Sequence, residues 1–477
     1  MPIFTKYFCN YKLDENNTLL LNTLTSAIDI VDNNTMGLIN KLIKKQKDVN
    51  SIDKKLYEKL KQRGYIFESE EDEKKSLNKF KKIIELTGEE SYKFSPIDFT
   101  ICPTMGCNLR CTYCFEEEKY HENLEVMSEK KLETLFKYIK QRSKEYAKLK
   151  EDSKGKKLPN LTIKLFGGEP LLKNTYPIVK KIFEFADQNH IGIYIITNGT
   201  NIDGMYFELL KKYNRMSRVQ ITLDGYKKTH DMRRIHADGS GSFDQVCKGI
   251  QRVLDSETML DVRINVDKEN IYNLNELKEL FEKRGWLKNS FFNPYASPVR
   301  TFKSNDNPDD IPHNIIFCAE ILKILTDNGW YGEKASFLKD LLIPSGMAMR
   351  FFDSSNAEIK PWKVNYCEAT SGRSFCFAPN GTIVTCTTYA GCKEHTIGHF
   401  DENGVTIDQD KLHRWTHRSP FNIEKCKNCK FVLFCGGGCP AEAIEKGDIN
   451  CPSCNDIEKT LEVCAKYMKD KLLAEKH

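Results

Sequence analysis

The stretch that decides the fold is "CPTMGCNLRCTYCFEEE", which runs from residue 102 to residue 118. Three of its four cysteines, Cys107, Cys111 and Cys114, form a C-x3-C-x2-C pattern. Three thiolates at this spacing can hold three irons of a cubane iron–sulfur cluster and leave the fourth iron open. A zinc knuckle with a remote fourth ligand is the alternative. Cys102 lies outside the triplet, and we predict that it is a buried thiol at a strand end.

The residues before and after this stretch repeat one pattern. Short runs rich in β-branched and aromatic residues each end in a polar or glycine-rich turn and precede a helical segment. The runs are "PIDFTIC", "LTIKLFGGEP", "IGIYIITNGT", "RVQITLDGY", "DVRINVDKEN" and "SFFNPYASP". Strands that alternate with helices predict an α/β fold with a parallel sheet, and six such units predict a partial (β/α)6 barrel. Because the chemistry of parallel barrels lies at the C-terminal strand ends, we look for ligands in the polar ends of these runs.

The composition narrows the class of protein. A chain of 477 residues, 40% of them hydrophobic, is long enough for two or three domains. The 72 basic and 67 acidic residues nearly balance, which argues against a nucleic-acid or membrane partner. No apolar run approaches the length of a membrane span and the N-terminus lacks the features of a secretory signal, so we expect a cytoplasmic protein. Eighteen cysteines in such a chain indicate metal or redox chemistry instead of a disulfide framework.

Changes in cysteine density and in residue pattern divide the chain into five regions. We predict a winged-helix-like module, a linker helix, the barrel, a connecting helical segment and a cysteine-rich C-terminal domain. In that order, the regions cover residues 1–70, 71–94, 95–300, 301–366 and 367–477.

The C-x3-C-x2-C loop, with the aromatic Tyr113 before its last cysteine, resembles the hallmark of the radical S-adenosylmethionine (radical SAM) enzymes. "GGEP" and "TNGT" resemble the second- and third-strand motifs of that family, and "ITLDG" with "HDMRRIHADGSGSFDQV" resembles the segment that meets the SAM carboxylate. The resemblance implies that Cys107, Cys111 and Cys114 hold the cluster that cleaves SAM. It also implies a set of SAM-binding residues: Gly167, Gly168, Glu169, Pro170, Asn198, Thr222 and Arg234. A carboxylate such as Glu169 suits an ammonium, and an arginine suits a carboxylate.

The C-terminal cysteines resemble the SPASM domain, which carries auxiliary 4Fe–4S clusters in peptide-modifying radical SAM enzymes. The resemblance implies that Cys367, Cys386 and Cys439 bind the first auxiliary cluster. It implies a second set made of Cys426, Cys429, Cys435 and Cys454. We therefore expect three 4Fe–4S clusters and SAM as cofactors. A pair of zinc ribbons is the alternative.

Two positions depart from the family pattern. No cysteine lies between Cys318 and Cys367, so the fourth ligand of the first auxiliary cluster is Cys376, Cys392 or no cysteine at all. An open iron there could bind a substrate thiolate. Whether Cys451 or Cys454 completes the second set stays open. In sulfatase-maturing relatives an aspartate follows the cysteine of the G-x4-C piece, whereas here that residue is Thr387.

These resemblances imply a peptide maturase of the sactipeptide or ranthipeptide type. Such an enzyme uses a 5′-deoxyadenosyl radical to modify a ribosomally made precursor, and we expect thioether cross-links from cysteine. Carbon–carbon cross-linking and formylglycine formation are the alternatives within the family. A zinc-dependent nucleic-acid-binding protein is the alternative of another class, but it leaves "GGEP", "TNGT" and Arg234 unexplained.

The expected partners are a precursor peptide and a reducing electron donor such as flavodoxin or ferredoxin. The N-terminal module resembles winged-helix precursor-recognition elements, which take a leader peptide as an added strand on a sheet edge.

Overall fold

The computed structural model describes most of the chain. It covers residues 2–44, 48–94, 98–116, 122, 125–152, 161–267, 269–299, 367–454, 457–467 and 469. The predicted connecting segment 301–366 therefore lies outside the described residues. Within them, no helix is both long and apolar enough to cross a membrane.

The N-terminal part combines a small antiparallel sheet with helices. Its five strands are β1 Ile3–Phe4, β2 Phe8–Lys12, β3 Asn17–Asn22, β4 Ile28–Asp32 and β5 Ile66–Phe67, and its helices are α1 Asn33–Ile43, α2 Lys54–Gln62 and α3 Glu70–Phe94. Strands β2, β3 and β4 form one sheet in that order, and β1 pairs with β5. Asp32 and Asp53 cap helices α1 and α2, since their carboxylates accept backbone N–H groups of the first turns.

The six predicted strands form one parallel sheet, which confirms the predicted fold class. They are β6 Asp98–Ile101, β8 Thr162–Leu165, β9 Gly192–Thr197, β10 Ser217–Thr222, β12 Met259–Val266 and β13 Phe292–Pro298. Each strand pairs with the next in chain order. The intervening helices are α4 Glu129–Asp152, α5 Tyr176–Gln188, α6 Gly204–Lys212, α7 Lys227–Arg233, α8 Phe243–Asp255 and α9 Leu274–Lys283. Two short strands, β7 Leu109–Cys111 and β11 Arg234–His236, pair with each other outside this sheet.

The C-terminal region extends the same sheet. Strand β14 Ser374–Phe377 pairs in parallel with β6, and three antiparallel strands follow, β15 Thr382–Val384, β16 Gly398–Phe400 and β17 Val405–Ile407. Five helices come after them: α10 Gln409–Thr416, α11 Glu424–Lys427, α12 Val432–Cys435, α13 Pro440–Glu445 and α14 Ile457–Tyr467. The barrel and the start of the C-terminal region therefore share one sheet and one hydrophobic core.

Side-chain alternation explains how the sheet is covered. Ile163 and Leu165 of β8, like Ile193 and Ile195 of β9, are at most 2% exposed and pack in the core beneath the helices. Lys164 lies between the first two and is only half-buried, so it belongs to the opposite face. The sheet thus has one apolar, helix-covered face and one polar face.

Candidate active site and cysteine sets

The loop of Cys107, Cys111 and Cys114 follows the first barrel strand and is fixed by a second pairing. Strand β7, which ends at Cys111, pairs antiparallel with β11, so that Arg234 lies opposite Cys111. Two of the residues that the sequence assigned to SAM chemistry, 123 positions apart in the chain, are therefore neighbours.

The three thiols lie in a partly buried environment that raises their pKa values. Burial raises the pKa of Cys107 well above its usual range, and the carboxylate of Glu169 raises it further. Burial likewise raises the pKa of Cys114 to about 12. The thiol of Cys107 accepts the N–H of Leu109 at 3.4 Å, an interaction that supports a metal-bound thiolate. Such thiols keep their protons until a cation replaces them, so this donor set fits an iron–sulfur cluster.

The glycine pair of "GGEP" lies directly beneath the cysteine loop. A Cβ at Gly168 would overlap the carbonyl oxygens of Met105 and Gly106, and one at Gly167 would overlap that of Thr104. Gly167 also has a φ of 109°, which side chains other than glycine's rarely tolerate. These glycines therefore allow the backbone of the cysteine loop to pack directly against the turn after β8.

Glu169 joins the ends of neighbouring strands. Its buried carboxylate accepts hydrogen bonds from the N–H of Leu171 at 2.8 Å, the hydroxyl of Thr197 at 2.7 Å and the N–H of Asn198 at 2.6 Å. Burial raises the pKa of this carboxyl, and the three hydrogen bonds oppose that shift. Its own N–H donates to the carbonyl of Gly106. Glu169 therefore braces the cysteine loop, and one lone-pair direction of its Oε2 is left for an ammonium.

Asn198 connects the third strand to the cysteine loop. Its Nδ2 donates to the Oδ1 of Asn108 at 2.8 Å, and its Oδ1 accepts from the N–H and the hydroxyl of Thr200. Asn108 in turn donates to the hydroxyl of Thr200 at 3.0 Å. Asn198, which is predicted to lie near the ribose of SAM, is thus held by Asn108. The sequence predicted no role for this loop residue.

The hydroxyl of Tyr113 is the centre of a buried polar network. It donates to the carboxylate of Asp224 and accepts from Nη1 of Arg234 at 2.7 Å and from Nδ2 of Asn265 at 3.1 Å. The guanidinium of Arg233 lies over the Tyr113 ring at 5.1 Å. Burial raises the pKa of Tyr113 well above its usual range, so its proton stays on the oxygen.

Arg234 keeps a donor available. It is 7% exposed, and its Nε is buried without an acceptor among the described residues. A buried guanidinium with an unused N–H is suited to a carboxylate such as that of SAM. Thr222, the other predicted carboxylate ligand, lies at the C-terminal end of β10 and is 8% exposed.

Cys367, Cys386 and Cys439 come together although 72 residues separate the first from the last. Burial raises the pKa of Cys367 to about 11 and that of Cys386 to about 12, and each is raised further by the charge of Cys439. The three thiols are thus close enough to raise one another's pKa values, and they form one group in the C-terminal region.

Cys426, Cys429, Cys435 and Cys454 form the other C-terminal group. Burial raises the pKa of Cys426 to about 11, and the charges of the other three thiols raise it further. In "CGGGC" the three glycines all have positive φ, between 71° and 84°. A Cβ at Gly438 would overlap the carbonyl oxygen of Ser453. Only glycine allows this turn, which sends Cys435 to one group and Cys439 to the other.

Arg418 is a buried cation close to both C-terminal groups. It is 2% exposed and donates to the carbonyls of Ile449, of Cys451 at 3.0 Å and of Gly437 at 2.8 Å. Burial lowers the pKa of its guanidinium, and nearby thiols from both groups, including Cys426 and Cys439, oppose that shift. Arg418 thus ties together the loops that carry the two groups.

Two further cysteines, Cys376 and Cys392, have defined neighbours of their own. Cys376 lies in β14 with its Sγ 3.6 Å from that of Cys102, and both are at most 1% exposed. The prediction that Cys102 is a buried strand-end thiol is confirmed. Cys392 lies beside Glu394 and His395. Among the described residues no disulfide is formed.

Sequence reasoning missed Asn108, Asp224 and Asn265 as parts of the site. Each lies inside or next to one of the sequence motifs. The hydrogen bonds of Asn108 and of the Asn265 side chain join residues at least 90 positions apart, and the bond between Asn265 and Asp224 depends on strand register. The adjacency of a polar residue to a motif was the only available signal.

The chain is similar in sequence to a known family and to known proteins. The family model described as "Radical SAM superfamily" matches residues 101–281. The "Cysteine-type anaerobic sulfatase-maturating enzyme" of Clostridium novyi (strain NT) is 24% identical over 348 residues, which cover 70% of this chain and 85% of that protein. The "Antilisterial bacteriocin subtilosin biosynthesis protein AlbA" of Bacillus subtilis (strain 168) is 27% identical over 185 residues, or 39% of this chain and 36% of that protein.

A solved structure shares the fold. "Native anSMEcpe with bound AdoMet" matches with a TM-score of 0.57 at 18% identity, over 79% of this chain and 98% of that one. A radical SAM domain implies a 4Fe–4S cluster, and the cysteine-rich C-terminal region is consistent with a SPASM-like domain. Residues 101–281 are thus a radical SAM domain, and the chain is a radical SAM enzyme related to the anaerobic sulfatase-maturating enzymes.

Proposed function

We propose that this enzyme is a peptide maturase that carries three 4Fe–4S clusters and forms thioether cross-links from cysteine residues of a ribosomally made precursor. The observation that carries the proposal is the grouping of ten cysteines into three separate sets, one in the barrel and two in the C-terminal region. Each set supplies three or four thiolates, the number that a cubane cluster requires.

The barrel set would hold the cluster that binds SAM. When bound, the cluster and SAM supply a 5′-deoxyadenosyl radical that abstracts a hydrogen atom. The residues of the chain would position SAM: Arg234 would offer its unused Nε to the SAM carboxylate, and Thr222 lies at the C-terminal end of β10. Tyr113 fixes the guanidinium of Arg234, and Glu169 holds the cysteine loop against the sheet.

The polar face of the sheet supports a peptide substrate. Gln220 accepts hydrogen bonds there from the hydroxyls of Tyr194 at 3.1 Å and Tyr295 at 2.6 Å, so amide and hydroxyl groups of β9, β10 and β13 meet on this face. Such groups suit the backbone of an extended peptide. The relatives whose names refer to sulfatase maturation and bacteriocin biosynthesis support a peptide or protein substrate as well.

The first C-terminal set supports the thioether assignment. Three cysteines form it, and each of the two further candidates has neighbours of its own: Cys376 is beside Cys102, and Cys392 is beside His395. A substrate thiol would complete this donor set, and soft thiolates are the preferred ligands of such iron. The remaining set would pass the electron released by bond formation towards a donor–acceptor protein such as flavodoxin or ferredoxin.

The N-terminal sheet supports leader binding. Among the described strands, β4 pairs only with β3, so one edge of β4 has no strand partner. Edges of this kind accept an extended peptide as an additional strand. We assign the leader of the precursor to this edge.

Formylglycine formation is the second candidate function, because the sulfatase-maturating relatives match most of the chain. Thr387 argues against formylglycine formation, since a threonine hydroxyl cannot replace an aspartate as a base at neutral pH. Carbon–carbon cross-linking shares all features of the proposal except the need for a substrate thiol.

Metal analysis tests the cluster assignment. Anaerobically purified enzyme should carry iron for three clusters, and replacing Cys107, Cys111 and Cys114 with alanine should remove about a third of it together with all SAM cleavage. Replacing Cys426, Cys429 and Cys435 should remove a similar share and leave SAM cleavage in place. Enzyme that holds stoichiometric zinc and no iron after reconstitution would refute the proposal.

Product analysis tests the reaction. The thioether product should be two hydrogens lighter than the precursor, and alkylation of the substrate cysteines should stop its formation. Replacing Cys367 or Cys386 should also stop it while SAM cleavage persists. An aldehyde in the product would favour formylglycine formation, and modification of cysteine-free peptides would favour carbon–carbon cross-linking.

A further inference from the structure

We propose that Cys392, Glu394 and His395 form a mononuclear Zn²⁺ site that is separate from the iron–sulfur clusters. The thiol, one carboxylate oxygen and one imidazole nitrogen all lie within 4.8 Å of one another. The three residues belong to the connection between β15 and β16.

The chemistry of the three donors favours zinc. A thiolate, an imidazole and a carboxylate are the three side-chain ligands that zinc uses, and three protein ligands with one open position are typical of its non-structural sites. All three donor atoms lie within 4.8 Å of one another, and they belong to exposed or half-buried side chains that can rotate towards a shared ion. Because divalent zinc binds nitrogen and sulfur donors more tightly than ferrous iron does, iron would not compete effectively for this set.

The loop that carries the donors is held at both ends. On the N-terminal side, the N–H of Cys392 donates to the carbonyl of Tyr389 at 2.9 Å, and Nδ2 of Asn380 donates to that of Gly391 at 2.8 Å. On the C-terminal side, the N–H of Ile397 donates to the carbonyl of Ile383 at 2.8 Å. Preformed loops lose little conformational entropy when they bind a metal ion.

The imidazole is also positioned by its surroundings. The ring of Tyr389 lies 4.0 Å from that of His395, centroid to centroid, and Tyr389 is itself 7% exposed. The Tyr389 hydroxyl contacts the carbonyl of Ala441 and the carboxylate of Glu445, both at 3.3 Å. His395 is thus oriented by a residue that is anchored in the neighbouring helix, as second-sphere groups orient metal-binding histidines.

The site lies near both the first C-terminal cysteine set and the barrel. Burial raises the pKa of Tyr389, which contacts His395, and Glu445, Cys386 and Cys439 raise it further. A Cβ at Gly391, next to Cys392, would contact the side chain of Met105 at 3.5 Å. Zinc at this position would therefore fix the connection between β15 and β16 where it packs beside Met105.

Metal content and zinc spectroscopy of the reconstituted holoenzyme test the site. With Zn²⁺ supplied and excess removed by buffer exchange, we expect one zinc per chain beside the cluster iron. Zinc-edge absorption should show a single sulfur ligand near ~2.3 Å with nitrogen and oxygen ligands. His395→Gln and Glu394→Gln should lose this zinc and retain all iron. His399→Gln, a change at an exposed histidine of the adjoining strand β16, is the matched control and should retain both metals.

Three results would overturn the proposal. Wild-type enzyme that keeps no zinc would show that the side chains bind no ion. Zinc that persists undiminished in both His395→Gln and Glu394→Gln would place it elsewhere. A loss of one cluster's iron in Cys392→Ser would make Cys392 an iron ligand. Since Glu394 is exposed, its substitution leaves the fold intact, and the readout does not depend on whether the enzyme makes a thioether.

Discussion

At the scale of single residues, Tyr113 organises the buried polar network around Arg234, the residue to which we assign the SAM carboxylate. Its hydroxyl donates to the carboxylate of Asp224 and accepts from the guanidinium of Arg234 and the side-chain amide of Asn265, and all three residues are buried. In a protein interior such shared hydrogen bonds are stronger than in water, and the loss of one member deprives each of the others of a partner. Arg234 can therefore present its remaining donor only if Tyr113 holds the other end of its guanidinium.

Replacing Tyr113 with phenylalanine should weaken SAM binding and leave the cluster in place. The lost hydroxyl leaves buried polar groups unsatisfied at about 1–3 kcal/mol, which corresponds to about 5- to 150-fold in Kd. Calorimetric titration of the iron-loaded enzyme with SAM measures the change, and iron content should match that of the wild type. Tyr138→Phe is the control, since that ring packs against Phe99 and Phe377 and its hydroxyl lies outside the network. Unchanged affinity in Tyr113→Phe would show that Arg234 needs no such support.

The glycine pair controls a contact between elements. The turn after β8 and the cysteine loop after β6 approach so closely that the backbone of one occupies the space that side chains of the other would need. The sheet places the two strands side by side, and the glycines let their following loops stack.

Replacing Gly168 with alanine should displace the cysteine loop. Its Cβ would overlap two backbone carbonyl oxygens, which cannot rotate away as a flexible side chain could. We expect the variant to lose the iron of the Cys107 set, about a third of the total, and with it SAM cleavage. Gly404→Ala is the matched control, because nothing lies within 4 Å of its added Cβ. Full iron content in Gly168→Ala would mean that the loop tolerates the shift.

Strand β4 provides a test of leader binding at the scale of one element. When a leader peptide adds to its unpaired edge, the amide groups of residues 28–32 gain hydrogen-bond partners and should exchange more slowly with deuterated solvent. Hydrogen exchange with mass spectrometry, with and without the synthetic leader, measures this protection. Strand β2, at the opposite edge of the same sheet, is the internal control and should not change. Protection confined to β2 would place the leader at the other edge.

The N-terminal module and the C-terminal cysteine region depend on each other at the scale of the whole molecule. One face of the β2–β3–β4 sheet packs on Phe431, Phe434 and Leu461, with Cys429 and Cys435 at the border of the same cluster. The other face packs on the module's own helices. The module therefore covers one of the C-terminal cysteine sets, whatever it binds in addition.

Two adjacent leucines allow the packing of the module on the C-terminal region to be tested separately from the packing of its own core. Leu20 and Leu21 of β3 are both fully buried, but Leu21 faces the C-terminal region and Leu20 faces the module's core. Either substitution by alanine should cost about 2–5 kcal/mol of stability. Leu21→Ala should in addition lower the iron held by the Cys426 set, whereas Leu20→Ala should retain it. Iron analysis and thermal unfolding of both variants decide the matter, and equal iron loss in both would contradict the division.

The sequence by itself determined the order of six strands and the family, because strand periodicity and short motifs are local properties of the chain. It also indicated Cys107, Cys111 and Cys114, whose spacing lies within one loop. Tertiary structure alone decided that Cys376 lies beside Cys102 and that Tyr113 joins Arg234 to Asp224. These contacts connect distant positions through sheet register and loop stacking. Such contacts depend on how the whole core packs, which no local pattern records.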